Sequence, residues 1–266
     1  MSKRNRAVVS LLLASSLWGC GPEAMAEPVE GSEPGAEQEV ALATVNQELL
    51  SAGEFYWDQY RTSATAMGSM YDRVCFLSRM TGNFAGGGES IHAFTTGGSW
   101  YLGGSSMQEG VGASAQCAYV PYGTYSDESY WWQHTSPNYP IYMGSATNRV
   151  CFLTGISGGF RGWGEWVHVY VSGGSWYLSG NSQQTGVAAR ARCVSVNSYS
   201  NESYWHQNQK YATYLSPAAG KTCALTYVQG HFRGGGESVN IFQSGGSWYL
   251  GGSSMQHDVA AKARCF

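Results

Sequence analysis

Val187-Ala188-Ala189-Arg190-Ala191-Arg192-Cys193 sets Val187, Ala189, Ala191 and Cys193 on one side of an extended chain and Ala188, Arg190 and Arg192 on the other. Successive side chains of a strand point to opposite faces, so the pattern predicts a strand with an apolar inner face and a polar outer one. The same alternation closes at Cys117 and at Cys265. Each of these cysteines has another 42 positions earlier, Cys75 for Cys117, Cys151 for Cys193 and Cys223 for Cys265, and each such pair is expected to form a disulfide.

Outward from the cysteines, the chain repeats every 72 to 76 residues. Each copy opens on Glu-x-Tyr-Trp-x-Gln, at Glu54, Glu128 and Glu202. A cysteine strand follows (RVCFL at 73 and 149, KTCAL at 221), then a glycine-rich turn (GNFAGGGES at 82, GGFRGWGEW at 158, GHFRGGGES at 230). GGSWYL recurs unchanged at 97, 173 and 245, its paired glycines suiting a turn that needs positive φ. The expectation is an all-β chain of three tandem, disulfide-closed antiparallel repeats of about 70 residues, packed together. The repeats are placed at 51–122, 123–197 and 198–266, with four or five strands each. Whether they form a row or a three-fold cluster stays open. Units this small have thin cores, and closing a loop of about 43 residues is worth on the order of 4 kcal/mol in the chain-entropy model.

The start of the chain reads as an export leader. Lys3, Arg4 and Arg6 precede an apolar run from Ala7 to Leu17, too short for a permanent membrane helix. The run ends in Leu17-Trp18-Gly19-Cys20, which resembles the lipobox of bacterial lipoproteins, with Trp18 where a small residue is usual. That resemblance, confined to about twenty residues, implies a signal peptide over 1–20, lipidation of Cys20 and a membrane-anchored protein of the bacterial envelope. Gly21 after the cysteine fits the outer-membrane class. Cleavage after Ala24-Met25-Ala26 is the alternative and would release a soluble secreted protein. Residues 21–50 carry seven Glu, no Lys or Arg and several prolines, the composition of an extended acidic tether. Export also places the six paired cysteines in an oxidising compartment.

Charge narrows the partners. Overall the chain has 15 Lys plus Arg against 18 Asp plus Glu, and after the tether the two signs nearly balance without a basic stripe. That argues against nucleic acid. No cofactor, metal-ligand spacing or catalytic motif is evident, so the expectation is a protein that is not an enzyme.

Two sets of residues stand out. Glu89, Glu165 and Glu237 follow the glycine turns, while Arg73, Arg149 and Lys221 stand two residues before the first cysteine of each copy. A partly buried charge is costly alone, so these are expected to form structural ion pairs within each copy. The second set comprises His92, Phe94 and Tyr101; His168, Tyr170 and Tyr177; Asn240, Phe242 and Tyr249. Aromatic rings beside hydrogen-bonding groups on an outer face suit sugar recognition, so these nine are the ligand-binding candidates. Gln108, Gln184 and Gln256 are candidates for the same surface. The functional expectation is multivalent binding of a glycan or another envelope component. A structural or protein-interaction subunit of an envelope complex is the second reading, and a hydrolase or protease inhibitor the third.

Overall fold

The computed structural model describes residues 51–132, 139–184 and 186–266. The leader, Cys20, the cleavage site near Ala26 and the tether over 21–50 lie outside the described residues. Each copy contributes six strands. The first has β1 (Ser51–Asp58), β2 (Thr65–Ser69), β3 (Arg73–Thr81), β4 (Ser90–Thr96), β5 (Ser99–Ser105) and β6 (Gly112–Tyr119). The second has β7 (Ser129–Trp132), β8 (Ile141–Ser145), β9 (Arg149–Ser157), β10 (Trp166–Ser172), β11 (Ser175–Asn181) and β12 (Ala188–Ser195). The third has β13 (Ser203–His206), β14 (Thr213–Pro217), β15 (Cys223–Gln229), β16 (Ser238–Ser244), β17 (Ser247–Ser253) and β18 (Ala260–Cys265). Six strands per copy exceed the expected four or five, because the Glu-x-Tyr-Trp segment and the stretch before each cysteine strand also pair.

No copy forms a sheet of its own. The three six-stranded sheets run β1-β6-β3-β16-β17-β14, β2-β5-β4-β9-β12-β7 and β13-β18-β15-β10-β11-β8, all antiparallel. Each therefore joins three strands of one copy to three of another. The first copy completes the second, the second completes the third, and the third completes the first. This closed cycle is the three-fold cluster rather than the row.

The predicted disulfides form: Cys75–Cys117, Cys151–Cys193 and Cys223–Cys265, each between residues directly opposed on paired strands. Every disulfide-closed loop contains the hairpin that leaves for the neighbouring sheet. That hairpin turns on the paired glycines, as at Gly97 and Gly98 with φ of 56° and 78°. Its departure is enabled by Gly82, Gly158 and Gly230, which have φ of 101°, 95° and 111°. A Cβ on Gly82 would lie 2.2 Å from the Gly110 carbonyl carbon, so the chain can turn there only without a side chain.

The cycle closes on aromatic residues. Phe84, Phe160 and Phe232 are fully buried and meet edge to face at centroid distances of 6.4, 6.4 and 6.2 Å. Their backbones also form a ring of hydrogen bonds: Phe84 N–H donates to Phe232, Phe160 to Phe84, and Phe232 to Phe160. The indole N–H groups of the GGSWYL tryptophans, Trp100, Trp176 and Trp248, donate to the carbonyls of Arg73, Arg149 and Lys221 at 3.0, 2.8 and 3.0 Å.

A second layer breaks the repetition and restores it by other means. Phe76 and Phe152 occupy equivalent sites, but the third copy has Ala224 there. The ring of the final residue, Phe266, fills that space, 5.6 Å from Phe76 and 5.7 Å from Phe152. Its own counterparts are the small residues Ala118 and Val194. One volume is thus shared between positions 224 and 266. Phe266→Ala is predicted to cost about 3 to 5 kcal/mol in urea unfolding. Adding Ala224→Phe should recover most of that loss, and absence of recovery would show that the two positions do not share one space.

Candidate functional site

Where two copies meet within a sheet, only three residue pairs form the seam: Ser90 with Ser157, Ile91 with Ile156, His92 with Gly155. The second seam pairs Trp166, Val167 and His168 with Gln229, Val228 and Tyr227. The third pairs Ser238, Val239 and Asn240 with Thr81, Met80 and Arg79. In each, the middle pair faces the core and the outer residues face away from it, since Ile91, Val167 and Val239 are buried while His92, His168 and Asn240 are half-buried.

At the first seam, His92 Nε2 lies 2.8 Å from Glu128 Oε1, which also accepts from Thr154 Oγ1 at 2.8 Å. Arg190 donates to Glu128 Oε2 at 3.0 Å and covers the Tyr130 ring at 4.6 Å. The second seam repeats the cluster: His168 meets Glu202 at 3.1 Å, Thr226 donates to it at 2.7 Å, and Lys262 reaches it at 3.1 Å. Burial alone would raise the Glu128 and Glu202 carboxyls, but hydrogen bonds from the histidine and threonine and nearby positive charge hold both at about 2. At the third seam the equivalents are Asn240, Glu54, Ser78 and Ser114, and Glu54 is exposed. The strand alternation made the histidines legible. Their Glu partners were visible only as the start of a repeated string, because the contact joins different copies.

From each seam an aromatic ladder runs outward. His92 and Phe94 are 5.3 Å apart and Phe94 stacks on Tyr101 at 6.0 Å. His168 to Tyr170 is 5.1 Å and Tyr170 to Tyr177 is 5.8 Å. Phe242 stacks on Tyr249 at 5.8 Å beside Asn240 on the same face. The nine candidates are thus brought together as three sets, all half-buried rather than covered. Of the glutamines, Gln108 accepts instead from Asn83 of the glycine turn at 3.4 Å.

Two hollows adjoin at the first seam and share Ser90 and His92. One, of about 160 Å³, is lined by Tyr130, Gly155, Ser157 and Arg190. The other, of about 330 Å³, is lined by Trp57, Arg61, Thr62, Phe94 and Gly104. Gly155 keeps the smaller one open, since a Cβ there would come within 3.0 Å of the His92 ring. At the second seam Tyr227 takes that position and packs 4.9 Å from His168. Among the described residues, no cluster of three His, Cys, Asp or Glu suits a metal ion.

The expected ion pairs Glu89 with Arg73, Glu165 with Arg149 and Glu237 with Lys221 do not form. Arg73 opens β3 and binds Asp72 at 2.7 Å and the Met67 carbonyl at 2.9 Å. Glu89 lies beyond the far end of that strand, eight residue steps or about 26 Å away. There its backbone carbonyl accepts from Gly158 of the next copy, and its carboxylate lies over Gly86. The same arrangement recurs at Glu165 and Glu237, and all three side chains are buried, each with an Oε2 that takes no hydrogen bond from the described residues. Sharing a strand face implied nearness only if both residues stood at the same end of the sheet, and they do not.

The carboxyls at Glu128 and Glu202 titrate near 2 in the folded chain against an ordinary 4.5. Their stabilisation is therefore complete above about pH 4.5 and disappears as pH falls towards 2. Allowing for partial solvent exposure, Glu128→Gln with Glu202→Gln should cost on the order of 1–2 kcal/mol per site at pH 7 and flatten the stability profile between pH 4.5 and 2. An unchanged acid limb in urea titrations would assign it to other groups. Comparison of the chain with protein-family models, with curated proteins and with solved structures finds no match.

Proposed function

We propose that the chain is a non-enzymatic binding protein of a bacterial cell envelope or surface, anchored by lipid at Cys20, which takes glycans on its repeated outer faces. The observation that carries this reading is the pair of adjoining hollows at the first seam, which meet at His92 beside the Phe94–Tyr101 ladder. Half-exposed rings offer a flat apolar platform for the C–H face of a pyranose. Ser90, Thr62, Arg61 and Arg190 around them supply donors and acceptors for hydroxyls.

Repetition supports the same reading. Three ladders on one closed frame can engage a polymer at several points, and linkage raises avidity by 10²–10⁴ without any new contact. The seams differ in detail, with Gly155, Tyr227 and Arg79 at one equivalent position, so the three faces would not be identical subsites. Disulfides accord with an oxidising exterior, which is where such polymers lie.

The test is an array of envelope and cell-surface oligosaccharides probed with the full chain. Selective binding is expected, weakened about 5- to 10-fold by Phe94→Ala, and stronger on dense than on sparse spots. Flat binding to all sugars, with specific capture of one envelope protein, would overturn the glycan reading in favour of a protein-interaction subunit.

A further inference from the structure

The glycine-turn end of the molecule contains three equivalent junctions, and one of them has been rebuilt. In two, glycine backbone lies directly on glycine backbone. A Cβ on Gly186 would stand 2.4 Å from the Gly87 carbonyl oxygen, and one on Gly110 would stand 2.4 Å from that of Gly235. These contacts leave no room for a side chain at Gly186 or Gly110 unless the facing backbone shifts. At the third junction, between the second and third copies, both glycines are replaced: Trp163 stands where the others have Gly87 and Gly235, and Asp258 where they have Gly110 and Gly186.

The replacement is costly to the backbone and opens the surface. Asp258 keeps the left-handed conformation of its glycine counterparts, with φ of 59°, which a residue with a Cβ adopts at some strain. Trp163 is 74% exposed, an unusual placement for the largest apolar side chain. Between them lies a hollow of about 430 Å³ lined by Arg161, Trp163, His231, His257 and Asp258. A second hollow of about 200 Å³ shares Asp258 and is lined by Tyr204, His206, Asn208 and Gln229. The walls are fixed from several directions. Gln229 donates to the Trp163 carbonyl at 3.1 Å, Arg161 Nε donates to the Ala85 carbonyl of the first copy, and the His231 N–H donates to the His257 carbonyl.

One buried polar atom in these hollows remains to be satisfied. His231 Nε2 is buried and has no hydrogen-bond partner among the described residues. Burial, with Arg233 and His257 nearby, lowers the pKa of His231, so its ring is neutral at pH 7 and offers one donor and one acceptor. The Asp258 carboxylate is exposed at the meeting of the two hollows. At the far end Tyr204, 46% exposed, stacks on His206 at 5.7 Å. A carboxylate, a neutral imidazole and a guanidinium mix signs and hydrogen-bonding roles, which suits an uncharged polyol better than a phosphate or an amine. Two ring platforms flanking one shared carboxylate match linked pyranoses.

We infer that this junction, which borders the second seam at Gln229, is a saccharide site separate from the first-seam hollows, with Trp163 and Tyr204 stacking on successive sugar rings and Asp258 and His231 bonding their hydroxyls. It rests on the glycan reading above and adds to it a particular location and a particular pair of platforms.

The deciding variant is Asp258→Gly, which restores the residue found at the other two junctions and relieves the left-handed strain. It is expected to melt at or above the temperature of the unmodified chain and yet bind the best array oligosaccharide about tenfold more weakly by calorimetry. Trp163→Ala should weaken binding to a similar degree, and the unmodified chain should show a ligand-induced change in tryptophan fluorescence that Trp163→Phe removes. Affinities unchanged within about twofold in both variants, with loss confined to Phe94→Ala, would overturn the junction site and leave the seams as the glycan surface. An unmodified chain that binds no oligosaccharide would overturn both.

Discussion

Everything in the molecule depends on the exchange of strands between copies. A single copy has two half-sheets of three strands, each with an open edge along the seam, and such edges are unstable alone and prone to pair with other chains. Three copies joined head to tail satisfy one another in a cycle. The cycle is drawn shut by the ring of backbone hydrogen bonds through Phe84, Phe160 and Phe232 and by the rings themselves. The repeats are therefore parts of one cooperative unit and not beads on a string. Each disulfide ties β3 to β6, or their equivalents, at the end of that pair away from the departing arm, so it clamps the two strands whose other ends carry the arm.

A closed, triplicated frame permits local divergence. The frame tolerates Ala224 because Phe266 supplies the missing ring from the end of the chain. It tolerates different seams because only three residue pairs join the copies there, and the outward residue of the third pair, Gly155, Tyr227 or Arg79, controls whether the surface is hollow or filled. Charges at the seams are handled by pairing across copies. Glu128 and Glu202 are each held by a histidine, a threonine and a cation from strands of two copies, so the clusters both fasten the seam and fix the imidazole on the outer face. Departures from the repeat are thus more informative about specialisation than the repeat itself. At the seam by Gly155 and at the junction by Trp163, departure creates concave, mixed polar and aromatic surface.

The strands, the disulfide partners and the outward placement of the His92, His168 and Asn240 faces were legible in the chain, because period-two alternation and a constant cysteine spacing are local properties. So was the recurring Glu of Glu-x-Tyr-Trp-x-Gln, though not its role. The misreading of Glu89 with Arg73 has a definite cause: the alternation told which face each residue occupies but not which end of the sheet, and β3 separates the two by its full length. Trp163 and Asp258 were likewise present in the sequence as departures from glycine. Their significance required knowing that the turn of one copy lies on the loop of the next.

By itself the sequence determined that this is an all-β chain of three disulfide-closed copies, since covalent spacing and side-chain periodicity do not depend on what a strand pairs with. Only the tertiary structure decided that β4, β10 and β16 complete the sheets of neighbouring copies. Backbone hydrogen bonds are chemically identical whichever copy supplies them. The choice of partner is instead made by the close passage at Gly82, Gly158 and Gly230 and by the shared packing of the phenylalanine rings, which exist only once the cycle has closed.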